Sequence, residues 1–147
     1  MRILVLNGPN LNLLGVREPG LYGTVDYDGL LALIQKECDA LGVQVRFYQS
    51  NHEGDLVDAI QAARLDCDGI VLNPGAYTHT SIALLDAVKA VRIPTVEVHI
   101  SDPDTREEFR HTSYIRAACT ATIRGHGLAG YVEALRLLCG TQASAPI

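Results

Sequence analysis

The sequence predicts an α/β fold built on a parallel sheet, and three observations predict it. Short apolar runs such as "RILVL", "GIVLN" and "TVEVHI" recur along the chain, bounded by turn residues, as strands buried on both faces do. Between successive runs lies a single amphipathic segment of helical spacing. A strand, one helix and a further strand demand a crossover connection, which joins parallel strands.

Each element has its own signal. "RILVL" is the first strand, and "YDGLLALIQKECDALG" is a helix closed by Gly42, with Leu30, Leu33, Ile34 and Leu41 recurring near helical spacing. "VQVRFYQ" alternates as a second strand. "EGDLVDAIQAARLD" is the next helix, with Leu56, Ile60 and Ala63 inward and Asn51 expected as its cap. "GIVLN" gives the third strand, and "HTSIALLDAVKAV" a helix that His79 opens. "IPTVEVHI" is the fourth strand. The polar "SDPDTREEFRHTSY" follows, with Arg106 and Arg110 on one short helical face. "TATIR" is the fifth strand, "LAGYVEALRLLCG" the last helix, and "TQASAPI" a frayed tail. Residues 1–140 thus form one domain and residues 141–147 a flexible end. Right-handed crossovers among five strands make a flavodoxin-like three-layer sandwich, in order 2-1-3-4-5 with helices on both faces, the economical arrangement.

Composition narrows the function. The 147 residues suffice for one domain that buries roughly two-thirds of its unfolded surface. A net charge of −5 and few aromatic residues offer no general footprint for nucleic acid. No apolar run is long enough for a signal peptide or a membrane span. Cys38, Cys67, Cys119 and Cys139 are scattered without a CxxC pair, and read as reduced, small apolar residues. A reducing cytoplasm is the expected location.

In such a sheet, ligands bind beyond the carboxyl ends of the strands, where strand order reverses. The groups gathered there are selective. The first strand leads to Asn7, Asn10, Arg17 and Tyr22, and the third, through "NPGAYTHTS", to Asn73, His79 and Ser81. The fourth delivers Glu97, His99 and Ser101, with Arg106 and Arg110 soon after. Glu97 and His99 are two apart on a strand and so share a face. A carboxylate there can hold one imidazole nitrogen and orient the ring for proton transfer. The blander readings are a turn role for Asn73, a buried ion pair for Glu97 and His99, and a solvated surface for the arginines. His79, His99 and Glu97 make a poor metal trio, because no tight ligand spacing exists and nearby arginines oppose a cation. GxGxxG, Walker and GxSxG patterns are also missing.

The stretch "NGPNLNLLGVREPGLYG", residues 7–23, is far longer than the usual connection of about two to six residues. Long ordered connections are more often functional than accidental.

Extended to "LNGPNLNLLGVREPGLYG", this opening block resembles the N-terminal signature of the type II 3-dehydroquinate dehydratases. "SNHEG", "LNPGAYTHTS", "VEVHIS" and "REEFRHTSY" are similar to that family's later blocks, in order, so the resemblance runs from Ile3 to about Leu138. It implies anti elimination of water from 3-dehydroquinate through an enolate, giving 3-dehydroshikimate without metal or cofactor. By the same resemblance Tyr22 is the base, Arg17 its partner, and His99 the acid that protonates the departing hydroxyl. Asn73 orients the enolate or an associated water. Ile100 and Ser101 present backbone N–H groups to the substrate carboxylate, while Asn10, His79 and Arg110 hold the ring's polar groups. Asp86 completes the pocket of a neighbouring subunit, and trimers assemble into a dodecamer. The sequence departs from the family pattern at "DPDT", residues 102–105, at Arg116-Ala117 and at Arg124.

The resemblance gives the long connection a purpose. A phenol is a poor base at neutral pH unless its anion is stabilised, and a permanently charged guanidinium close by does that. Arg17 and Tyr22 on one segment read as parts of a catalytic lid that closes over substrate and excludes water. Asp86, seven residues after His79, is expected on the same helical stripe, further from the edge and directed elsewhere. The alternative is a non-enzymatic flavodoxin-like ligand-binding or signalling module, which leaves Tyr22, Arg17, His99 and Glu97 without a shared purpose.

Overall fold

The structure, a computed structural model, describes residues 1–16 and 25–140. Five parallel strands run in the order β2-β1-β3-β4-β5: β1 Arg2–Asn7, β2 Gln44–Gln49, β3 Gly69–Asn73, β4 Thr95–His99 and β5 Ala121–Arg124. Among the described residues four α-helices flank them: α1 Tyr27–Leu41, α2 Glu53–Ala63, α3 Ile82–Val91 and α4 Ala129–Leu138. This is the predicted architecture and strand order.

Period-two geometry sorts the core into two layers. Ile3 and Val5 of β1, with Val71, Val96 and Val98, pack against α1 and α4 through Leu30, Ile34, Ala134 and Leu135. Leu4 and Leu6, with Ile70 and Leu72, face α2 and α3 through Leu56, Ile60, Leu84 and Val88. An unbroken apolar run is therefore what β1 needs. Of the residues expected inward on α1, Leu30 and Ile34 are buried. Leu33 is exposed, because it falls on the outer flank of the stripe. Gly42 ends α1 at φ 70°, a left-handed cap that glycine adopts without strain.

Three local expectations need correction. His79 does not open α3: it ends a 3-10 turn, Gly75–His79, and α3 starts at Ile82, where the Ser81 hydroxyl accepts the Leu84 N–H at 2.9 Å. A good side-chain cap decides the start. Asp86 and His79 therefore share no helical stripe. Arg106 and Arg110 likewise share no helical face, because Pro103–Thr105 and Glu108–Arg110 form separate 3-10 turns. Asn51 caps nothing; His52 is the residue before α2, and Asn51 serves the first strand's loop instead.

The ladder aligns the strand ends that matter. Asn7 lies opposite Gln49 on one side and Asn73 on the other, so β1 and β3 finish level at the point where strand order reverses. Their loops then interlock. Gly8 donates its N–H to the Asn73 carbonyl at 2.8 Å, and a Cβ on Gly8 would lie 2.5 Å from the Pro74 carbonyl oxygen. Gly75, at φ 60°, passes Pro9, where a Cβ would lie 3.1 Å from the carbonyl oxygen. Only glycine permits that approach.

Candidate active site

A cavity of about 160 Å³ opens at the carboxyl ends of β1, β3 and β4. Among the described residues its walls include Asn10, Asn73, His79, His99, Ile100, Ser101, Arg106 and Arg110. Of the groups expected at the edge, Asn10, Asn73, His79, His99, Ser101, Arg106 and Arg110 meet in one hollow, whereas Asn7 and Ser81 are not among its walls. Glu97 stands behind His99. Asp86 is exposed on α3 and is not among these walls. Arg17, Tyr22, the stretch between them read as a lid, and residues 141–147 lie outside the described residues.

Asn10 holds a left-handed backbone, φ 69°, which asparagine tolerates better than most residues. Its N–H is accepted by the Asn51 side chain at 3.0 Å, and the Gln49 amide bonds both Asn51 Oδ1 and the Gly8 carbonyl. The Asn51 carbonyl in turn accepts the Tyr77 hydroxyl at 3.0 Å. "SNHEG" therefore braces the first and third loops together.

Behind the cavity on the α3 face, β4 buries Glu97 completely. Its Oε1 accepts the hydroxyls of Thr78 at 2.5 Å and Ser113 at 2.6 Å, and its Oε2 accepts Thr122, its neighbour in the ladder, at 3.2 Å. His99 Nε2 is 3.3 Å from Oε1, within ion-pair range but off the line of a hydrogen bond. It makes no hydrogen bond to another described residue. Burial alone would raise the Glu97 carboxyl. The His99 imidazole and the hydroxyl donors outweigh it and bring the group from 4.5 down to about 2. A carboxylate ionised at neutral pH thus backs the imidazole at ion-pair distance. Burial beside the same carboxylate pushes the Cys119 thiol up to about 12, so it is inert as a nucleophile.

The second histidine, His79, is held from the neighbouring loop. His79 Nδ1 donates to the Thr112 carbonyl at 2.6 Å, which assigns the tautomer and leaves Nε2 as an acceptor. Burial pulls its pKa below the usual 6.5, helped by His99 and Arg110, against the opposing pull of the Thr112 carbonyl. His79 is therefore a neutral hydrogen-bonding group. Arg110 is held by Glu107, Nε to Oε2 at 2.6 Å, with its guanidinium 5.1 Å from the Phe109 ring centre.

On the opposite face, Asn73 is buried with its Oδ1 accepting the Gly75 N–H at 3.1 Å and its Nδ2 donating to the Tyr131 hydroxyl at 2.8 Å. The turn role of Asn73 is real, and the residue also lines the cavity.

Sequence reasoning missed Thr78, Thr112, Ser113, Thr122 and Tyr131. Thr78 and Ser113 sit inside quoted polar blocks, and Thr122 could be found by laying β5 against Glu97. Tyr131 has no local signal. Two departures from the family pattern also find each other: Arg124 Nη1 stands 2.8 Å from Asp104 Oδ2, while Asp102 accepts the Asp104 N–H and starts the turn that carries Pro103 into the cavity wall. Among the described residues no three His, Cys, Asp or Glu side chains gather as a metal-holding group, and no helix is long and apolar enough to cross a membrane.

Neutral and charged donors thus surround a small hollow suited to an oxygen-rich, anionic molecule and a proton transfer. Comparison with known proteins agrees. The family model for dehydroquinase class II matches residues 1–139. The 3-dehydroquinate dehydratase of Caldicellulosiruptor bescii is 54% identical over 138 residues, covering 93% of this chain and 95% of the relative. The 3-dehydroquinate dehydratase 1 of Corynebacterium efficiens is 55% identical over 137 residues, covering 93% and 91%. The crystal structure of the type II dehydroquinase from Butyrivibrio crossotus superimposes with a TM-score of 0.93 at 50% identity, covering 94% of this chain and 97% of that one.

Proposed function

The chain belongs to the class II dehydroquinase family, and from that membership we propose that it eliminates water from 3-dehydroquinate to give 3-dehydroshikimate, a step of the shikimate pathway. The observation that carries the reading is the buried, ionised Glu97 set behind His99 in a cavity that also holds Asn73, His79 and two arginines. A simple binding module has no use for such a pair.

The reaction needs a base for the proton α to the ketone, stabilisation of the enolate, and an acid for the departing hydroxyl. Tyr22, with Arg17 stabilising its phenolate, takes the proton. His99, held by Glu97, gives a proton to the hydroxyl as it leaves as water. Asn73 offers its free amide hydrogen to the enolate oxygen or to a water bonded to it. The guanidinium of Arg110 and the neutral His79 hold ring oxygens, Asn10 orients the ring, and the backbone at Ile100 and Ser101 receives the carboxylate. Residues 1–140 form the catalytic unit. Asp86, exposed on α3, reaches into the pocket of a neighbouring copy in a dodecamer of trimers, and the enzyme works in the cytoplasm. Its exposure and its absence from the walls of the chain's own cavity support that reading.

An ultraviolet assay for the conjugated product, run on 3-dehydroquinate with chelator present, tests the activity; no product would overturn it. In that assay Tyr22→Phe should cut turnover roughly 10²–10⁴-fold, the range of a lost general base, with little change in KM. Near-normal turnover would remove Tyr22 from that role.

A further inference from the structure

We propose that Tyr131, on α4, is the positioning residue for Asn73: its hydroxyl locks the amide so that one N–H faces the cavity.

The logic is a count of donors and acceptors. The Gly75 backbone N–H can only donate, so the atom of Asn73 that meets it at 3.1 Å must be Oδ1. Nδ2 then points the other way, to the Tyr131 oxygen at 2.8 Å, and that oxygen must accept. The single hydroxyl hydrogen of Tyr131 is left for Asn7 Oδ1, at 2.7 Å. Asn7 thereby presents Nδ2 to the Tyr27 hydroxyl, 3.3 Å away on the first turn of α1. One backbone donor thus sets the direction of every bond in a chain of four side chains.

Burial makes the arrangement rigid. Tyr131, Asn7 and Asn73 are 0%, 0% and 4% exposed, so water is poorly placed to replace a lost partner. Burial also pushes the Tyr131 phenol well above its ordinary value, so it stays a neutral group with one hydrogen to give. A phenylalanine would fill the same space in the core between α1, α4 and the sheet. A hydroxyl whose two bonds run to the last residues of β1 and β3 therefore serves the edge that carries the cavity, in addition to filling the core.

This inference rests on the role proposed for Asn73, and the experiment separates the two. Turnover and KM on 3-dehydroquinate are measured, well below the unfolding temperature, for the unmutated enzyme, Tyr131→Phe, Asn73→Ala and the double variant. Tyr131→Phe should lower kcat about tenfold with KM nearly unchanged, within the ~10²-fold cost of a slightly misplaced catalytic group. In the Asn73→Ala background the same change should have almost no further effect on kcat. A purely structural Tyr131 would lower the unfolding temperature and leave kcat alone, which overturns the proposal. So does an equal loss in both backgrounds. An inactive unmutated enzyme would instead refute the dehydratase reading, and a fully active Asn73→Ala the role of Asn73. If Tyr131→Phe does not fold, neutron diffraction from deuterium-exchanged crystals of the unmutated protein decides. Hydrogen density from Asn73 Nδ2 toward Tyr131, and from Tyr131 toward Asn7, is expected; the reverse direction would sink the inference.

Discussion

The two faces of the sheet edge solve the same problem with different chemistry. On the α3 face, Glu97 gathers three hydroxyls and an imidazole around a buried charge. On the α1 and α4 face, Asn73, Tyr131, Asn7 and Tyr27 form a neutral chain. A carboxylate accepts from any donor that reaches it, so the first network fixes a charge and tolerates several geometries. An amide and a phenol are directional, so the second fixes an orientation and tolerates one. The difference suits the proposed roles: an acid needs its counter-charge, whereas an enolate needs a hydrogen aimed at one point.

Neutralising the charged side should have the largest effect. Glu97→Gln keeps the shape and removes the counter-charge of His99, so turnover should fall roughly 10²-fold, the lower end of what general acid catalysis contributes. Stability gives a second signature. The folded-state carboxyl lies near 2, below its ordinary 4.5, so the stabilisation it contributes is present above about pH 4.5 and is lost as pH falls toward 2. The gap in denaturation midpoint between enzyme and variant should therefore narrow across that window. A constant gap would mean that Glu97 is not held ionised by its partners.

Ser113→Ala sharpens the contrast with a smaller change. It takes one hydroxyl from Glu97 Oε1 and leaves Thr78, so turnover should fall only a few-fold. Stability should drop by about 1–3 kcal/mol, the cost of a lost partner to a buried charged acceptor. That cost should shrink with acid, because the protonated carboxyl no longer needs a second donor. The stability cost of Tyr131→Phe should stay constant across that same window, from about pH 4.5 toward 2. Equal pH dependence in both variants, read from denaturation midpoints, would erase the distinction between the networks.

How much of this was legible in the sequence follows from the range of each interaction. The alternation Ile3, Leu4, Val5, Leu6 and the stop at Gly42 are local, and the strand order rests on crossover rules that need no side-chain detail. Glu97 and His99 were readable as a pair because a strand repeats every two residues. The start of α3 was misread because "HTSIALL" holds two competing signals, and the Ser81 cap wins over apolar spacing. Arg106 and Arg110 reach one cavity by way of two 3-10 turns that their spacing of four does not reveal. Tyr131 was out of reach, since its partners lie 58 and 124 residues away. No periodicity encodes such a contact.

An effect on binding alone is expected at the strap joining the first and third loops. Asn51 is exposed, yet its Oδ1 holds the Asn10 N–H and its carbonyl holds Tyr77. Asn51→Ala removes the first bond and keeps the second, which is made by the backbone. Asn10 would then hold its left-handed turn with one support fewer, while the Gly8–Asn73 hydrogen bond still anchors the loop. A net hydrogen bond is worth about 0.5–1.5 kcal/mol, so KM for 3-dehydroquinate should rise roughly two- to tenfold with kcat unchanged. Both polar networks lie behind the cavity and neither contains Asn51, which is why binding alone should suffer. A fall in kcat as large as that of Ser113→Ala would show that the loops, rather than the buried networks, set the geometry of the chemistry.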